Sequence, residues 1–163
     1  MLALHRINAR DRRRAAAHEA GHIVVAQHFG IAVLGAAIWP VNREDPLLEA
    51  TWSGQISVFR GSDNRPDVWR AIGIAGTVAE AIWFDRDGQA DLELFWDFAF
   101  DEVAAMSPSD WRLCCAEPEI DSEELETAAA DVAGLLLGEL RETLIKTARR
   151  LIIEARTSTP INS

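Results

Sequence analysis

The run His18-Glu19-Ala20-Gly21-His22, set between Ala15-Ala16-Ala17 and Ile23-Val24-Val25-Ala26, constrains this chain more than any other segment. Ala15, Ala16, Ala17 and Ala20 are strong helix formers, so the segment reads as helix. On a helix, residues four apart lie on one face, a turn above one another. His18 and His22 then aim two imidazole nitrogens at a single point, as a zinc ion with bonds of about 2.0–2.1 Å requires. Glu19 follows at about 100° around the helix, beside that point rather than on it. From there its carboxylate can take a proton from water at the metal. The pattern therefore marks Glu19 as a candidate general base and points to hydrolysis, first of all of peptide bonds. Gly21 costs about 1 kcal/mol against alanine inside a helix, a cost with a use if another element approaches closely.

Composition narrows the rest. A chain of 163 residues, 48% hydrophobic and 26% charged, reads as one globular domain over residues 1–163 with a frayed tail over 157–163. The net charge of -10 argues against a nucleic-acid partner. Arg6, Arg10, Arg12, Arg13 and Arg14 form a local basic cluster, read as the solvated start of the first helix. No stretch is long and apolar enough to span a membrane, and Met1-Leu2-Ala3-Leu4 runs directly into His5 and Arg6 rather than into a signal-peptide pattern. Cys114 and Cys115 are adjacent and cannot make a disulfide framework, so a reducing, cytoplasmic location is expected. There is no G-x-x-x-x-G-K-[ST] phosphate loop.

The pattern predicts a mainly α protein with a small β-sheet, an α+β fold. A helix is expected from Asp11 to Phe29, stopped by Gly30, then strands over Ile31–Trp39 and Thr51–Phe59. A second helix is expected over Asp67–Phe84, where Gly73 and Gly76 suggest close packing on a neighbour. Asp91–Met106 reads as a short helix. Ser107-Pro108-Ser109-Asp110 opens another, with serine as cap and proline in the first turn. Ser122–Arg156 carries one long apolar stripe, Leu125, Ala129, Val132, Leu136, Leu140, Leu144, Thr147 and Leu151, with Gly134 and Gly138 as interruptions. That helix is a candidate for self-association, although a core-facing stripe explains it equally.

Two histidines do not finish a catalytic zinc site, which usually has three protein ligands and one open position. Sequence logic alone leaves several acids for the third place. The segment around His18 resembles the zinc peptidase domain of the FtsH-type ATP-dependent proteases. Ala75-Gly76-Thr77-Val78-Ala79-Glu80-Ala81-Ile82 is similar to that family's G-G-R-x-A-E-E helix, with Thr77 and Ala81 as departures, and Ser107-Pro108-Ser109-Asp110 to its aspartate segment. The resemblance implies a zincin-like fold, with zinc held by His18, His22 and Asp110. Glu80 is the rival third ligand, or else a carboxylate that hydrogen-bonds a ligating histidine. The family's AAA+ module has no counterpart in this sequence, and Asp91–Phe100 matches nothing in its pattern.

The expected activity is zinc-dependent hydrolysis of unfolded or extended polypeptide, with the substrate adding to a strand edge near Ser53, Gly54 and Gln55. The competing expectation is a catalytically silent, peptidase-like domain that binds a protein partner and keeps zinc structurally. Hydrolysis of a non-peptide amide is a third. Cys114, one turn beyond Asp110, reads as a buried inert thiol, His28 as structural or exposed, and His5 as part of a mobile terminus. With six tryptophans and no tyrosine, oxyanion stabilisation is left to the metal, a backbone N–H or another side chain.

Overall fold

The computed structural model describes residues 2–42, 44, 49–84, 87–92, 103, 105–114 and 121–157. Helix α1 spans Leu2–His28, β1 Val33–Pro40 and β2 Trp52–Val58. Helix α2 spans Pro66–Ile82, α3 Pro108–Cys114, α4 Ser122–Leu137 and α5 Arg141–Thr157. The strands form a two-stranded antiparallel sheet with Ile38 opposite Gly54 and Ala37 opposite Gln55. The architecture is thus mainly helical with a small sheet, as the sequence pattern leads one to expect.

Two helices form the centre. From Ala16 to Ala26, α1 is buried on nearly every side, with His18 alone half-buried. Helix α2 is buried almost throughout, from Val68 to Ile82. Such all-round burial marks a core helix rather than a surface one. The sheet and α5 cover one side of α1, while α3 and α4 pack on α2. Small residues let the two central helices approach closely. A Cβ built on Gly21 would lie 2.7 Å from the Cβ of Ala79 and closer still to the carbonyl oxygen of Ala75.

Several boundaries depart from the sequence reading. Helix α1 starts at Leu2, nine residues before Asp11, so His5 belongs to a helix rather than to a loose terminus. Asp11 is buried well inside that helix and accepts from the backbone N–H of Thr51 at 2.9 Å, a tertiary tie rather than a helix start. The helix stops where expected: Gly30 has φ 76°, and the N–H of Ile31 reaches back to Ala26 at 2.9 Å. The long C-terminal stripe is divided into α4 and α5 by a turn at residues 138–140. Leu144, Thr147 and Leu151 of α5 are buried within the chain. Most of the expected 91–106 helix, and the tail beyond Thr157, lie outside the described residues.

Gly21→Ala should therefore destabilise the protein despite its better helix propensity. Overpacking costs about 1–3 kcal/mol and the propensity gain recovers about 1. A thermal unfolding midpoint several degrees lower is expected, and a higher one would mean that α1 and α2 have room to spare.

Candidate metal centre

The site is built where α1, α2, α3 and β2 meet. Asp11, Arg14, His18, Glu19 and His22 share the face of α1 that lines a cleft of about 920 Å³, because spacings of three and four residues repeat each helical turn. Across the cleft, β2 contributes Ser53, Gly54 and Gln55, α2 contributes Thr77 and Glu80, and α3 contributes Asp110. Asp110 is positioned by its own helix start: its backbone N–H donates to the Ser107 hydroxyl at 3.2 Å, as a serine cap should.

The hydrogen bonds fix the histidine tautomers. His22 Nδ1 lies 2.7 Å from the carbonyl oxygen of Ile72, which can only accept, so Nδ1 carries the proton. His18 Nδ1 lies 3.1 Å from Glu80 Oε2 and likewise donates. Burial alone would raise the Glu80 carboxyl, but the His18 hydrogen bond and the charges of His18 and Arg14 outweigh it and hold it below its usual range. Arg14 Nε lies 3.2 Å from Glu80 Oε1. In the neutral rings both Nε2 atoms are therefore bare lone pairs. They face each other at 3.2 Å, and Asp110 approaches His22 Nε2 at 3.2 Å and His18 Nε2 at 3.3 Å.

Three electron-rich donors in mutual contact need a positive centre. A proton can serve two of them, and the surrounding charge favours one: burial opposes charging His18, yet Asp110 and Glu80 overcome it and push the imidazole from 6.5 up to about 10. Asp110 is held well below the usual carboxylate range by both histidines, against the effect of burial. A metal ion can serve all three. Tetrahedral bonds of about 2.0–2.1 Å place neighbouring donors about 3.3 Å apart, which the observed separations match. Among the described residues, the donor atoms of His18, His22 and Asp110 lie within 4.8 Å of one another and could hold a metal ion.

Glycine creates the space for this cluster. A Cβ on Gly76 would lie 2.7 Å from His18 Nε2 and closer to His22 Nε2. A Cβ on Gly54 would lie 2.6 Å from Glu19 Oε1. Glu19 is 6% exposed, and burial pushes its carboxyl up, opposed by the two histidines. Glu80 faces Nδ1, the side of the His18 ring away from Asp110, which favours a positioning role over ligation. Cys114 is buried against Gly73, its thiol 3.5 Å from the carbonyl oxygen of Arg70. His28 lies 3.9 Å from Glu139, remote from the cluster in contact terms.

Sequence reasoning missed two contributors. Arg14 was expected among solvated arginines, although it lies four residues before His18 on the same face, a signal that was present. The contact of Gly76 with both imidazoles could not be read from spacing. No protein-family model matches the chain, and no curated protein matches it in sequence. Among the described residues no helix is long and apolar enough to cross a membrane.

Two outcomes follow from this geometry. In chelated protein the His18 value lies above its ordinary 6.5, so its stabilisation is complete below about pH 6.5 and lost as pH rises through about 10. Metal added near pH 7.5 should displace about one proton, seen as a binding heat that varies with buffer ionisation enthalpy. A buffer-independent heat would mean that His18 is already neutral. Separately, Asp110→Asn should weaken metal binding beyond the roughly 10–100-fold expected for Glu80→Gln. The reverse order, measured by competition with a chelator, would make Glu80 the ligand.

Proposed function

We propose that the chain is a zinc-dependent peptidase acting on unfolded or extended polypeptide. The observation that carries this reading is the convergence of His18, His22 and Asp110 on one point of a cleft that Glu19 also lines. Two imidazoles and a carboxylate suit zinc, and His18, His22 and Asp110 would hold it as three protein ligands. Zinc held there would supply Lewis acidity toward a carbonyl and would lower the pKa of water.

The protein's own groups do the rest. Glu19 accepts a proton from water as the water oxygen adds to the carbonyl carbon. It then delivers that proton to the amide nitrogen as the C–N bond breaks, giving a carboxylic acid, which keeps the second water proton, and an amine. Burial raises the Glu19 carboxyl and brings its basicity closer to neutral pH, where a group that both takes and gives a proton works best. Glu80, braced by Arg14, keeps the proton of His18 on Nδ1 and its lone pair toward the cleft. The extended substrate adds along β2, whose second edge has no strand partner among the described residues. Ser53, Gly54 and Gln55 line the cleft along this strand. The zincin-like fold and the FtsH-type resemblance belong to this same proposal.

Glu19→Gln should lower hydrolysis of an unstructured protein about 10²–10⁴-fold while zinc stoichiometry and the unfolding midpoint stay unchanged. If wild-type protein binds zinc yet releases no peptide from any unstructured substrate, the partner-binding reading replaces this one.

A further inference from the structure

Four arginines line the cleft, and they are held in different ways. Arg10 pairs with Asp11 at 3.0 Å and Arg14 with Glu80 at 3.2 Å, so carboxylates already meet both charges. Arg60, two residues past the end of β2, has neutral holders instead. Its Nη2 donates to the Leu113 carbonyl oxygen at 3.1 Å, and its guanidinium carbon lies 4.1 Å from the centre of the buried Trp69 ring. Among the described residues no carboxylate pairs with Arg60. Asp63, the acid nearest to it in sequence, is taken by Arg65 at 2.6 Å.

The loop that carries Arg60 is itself tied down. The Asp63 backbone N–H donates to the Arg60 carbonyl at 3.1 Å, and the Trp69 indole N–H reaches the Asp63 carbonyl at 3.3 Å. A guanidinium presents a planar fork of N–H donors that matches a carboxylate, and stacking on an indole orients that fork without neutralising it. Leu113, the other holder, lies three residues beyond Asp110 on α3, about one helical turn. Arg112, next to Leu113 in sequence, is exposed and lines the cleft as well. Glu19 meets β2 at Gly54, toward the start of the strand, whereas Arg60 follows its end. The cation therefore stands to one side of the donor cluster.

We infer that Arg60 is a specificity-determining residue that binds a substrate carboxylate on one side of the scissile bond. The carboxylate is an Asp or Glu side chain or the substrate's own C-terminus. This rests on the peptidase reading above. The protein's net charge of -10 disfavours acidic peptides in general, so a preference for a carboxylate at one position has to come from a local cation.

The test compares kcat/KM of the zinc-loaded protein on unstructured peptides blocked at both ends, with a single Glu in place of Gln at successive positions on either side of the cut. A further pair differs only in a free or an amidated C-terminus, which separates the two sources of the carboxylate. The carboxylate is expected to raise kcat/KM about fivefold, on one side of the cut only, and added salt should erode the gain. The advantage should vanish in Arg60→Gln and persist in part in Arg60→Lys, which keeps the charge but loses the fork. Unfolding midpoints show whether each variant is folded. Equal rates in wild type for Glu and Gln peptides, and for free and amidated ends, would overturn the inference while leaving the peptidase reading intact. So would an advantage that survives in folded Arg60→Gln, or one that is equal on both sides of the cut. If zinc-loaded wild type cleaves none of these peptides, the peptidase reading fails and this inference fails with it.

Discussion

The approach of α2 to α1 at glycine distance is the constraint on which the rest of the structure depends. Gly21 of α1 lies against Ala75 and Ala79, and Gly76 of α2 lies against both imidazoles of the His18–His22 pair. Any side chain at Gly76 would occupy the space into which the Nε2 atoms project. Because the helices are this close, Ile72 can offer its carbonyl to His22 and Glu80 its carboxylate to His18. The helix–helix contact thus does two jobs: it buries the apolar faces and it fixes the tautomers.

Fixing the tautomers creates the electrostatic problem that defines the site. Two lone pairs and the Asp110 carboxylate oxygens are held within about a tetrahedral edge of one another in a largely desolvated place. Left to themselves, such donors repel or capture a proton, and the upward pressure on His18 expresses that demand. The surrounding contacts hold the three groups in place. Asp110 is fixed by the capped start of α3, His22 is almost wholly buried, and Glu80 is braced by Arg14. Fixed contacts around donors that demand positive charge are what a preorganised cation site consists of, and a proton is the weaker of the two ways to meet that demand.

Much of this was legible in the sequence because it rests on local rules. The H-E-A-G-H run, the glycine stop at Gly30, the serine cap before Asp110 and the two short strands each depend on neighbours within a few residues. The break between α4 and α5 falls at Gly138, one of the two glycines that mark an interruption, but the apolar pattern does not show a corner there. The apolar stripe from Leu125 to Leu151 keeps its three-and-four spacing across Gly138, so periodicity alone reads through the turn. The early start of α1 was hidden because its first turns are largely exposed and carry no apolar period. Asp11 looked like a helix-start residue because acids favour that position, and only the tertiary fold shows that its partner is Thr51, forty residues away.

The same division separates the chemistry from its selectivity. The reactive group set lies on one helix turn plus one capped aspartate, and a chain can carry it in five residues and a remote acid. What a substrate meets is decided by contacts between distant segments: Gly54 opening space for Glu19, and Asn8 and Asp11 pinning β2. Asp11 lies on the same face of α1 as the histidines, seven residues before His18. Helix α1 therefore bears the donors, presents the carboxylate and ties down β2 through Asp11 within about three turns, with the 1.5 Å helical rise setting their spacing. Lengthening or shortening α1 by a residue between Asp11 and His18 would rotate Asp11, and its tie to Thr51, by about 100° away from the cleft face. The seating of β2 cannot drift independently of the donor cluster: the two are locked by the phase of a single helix.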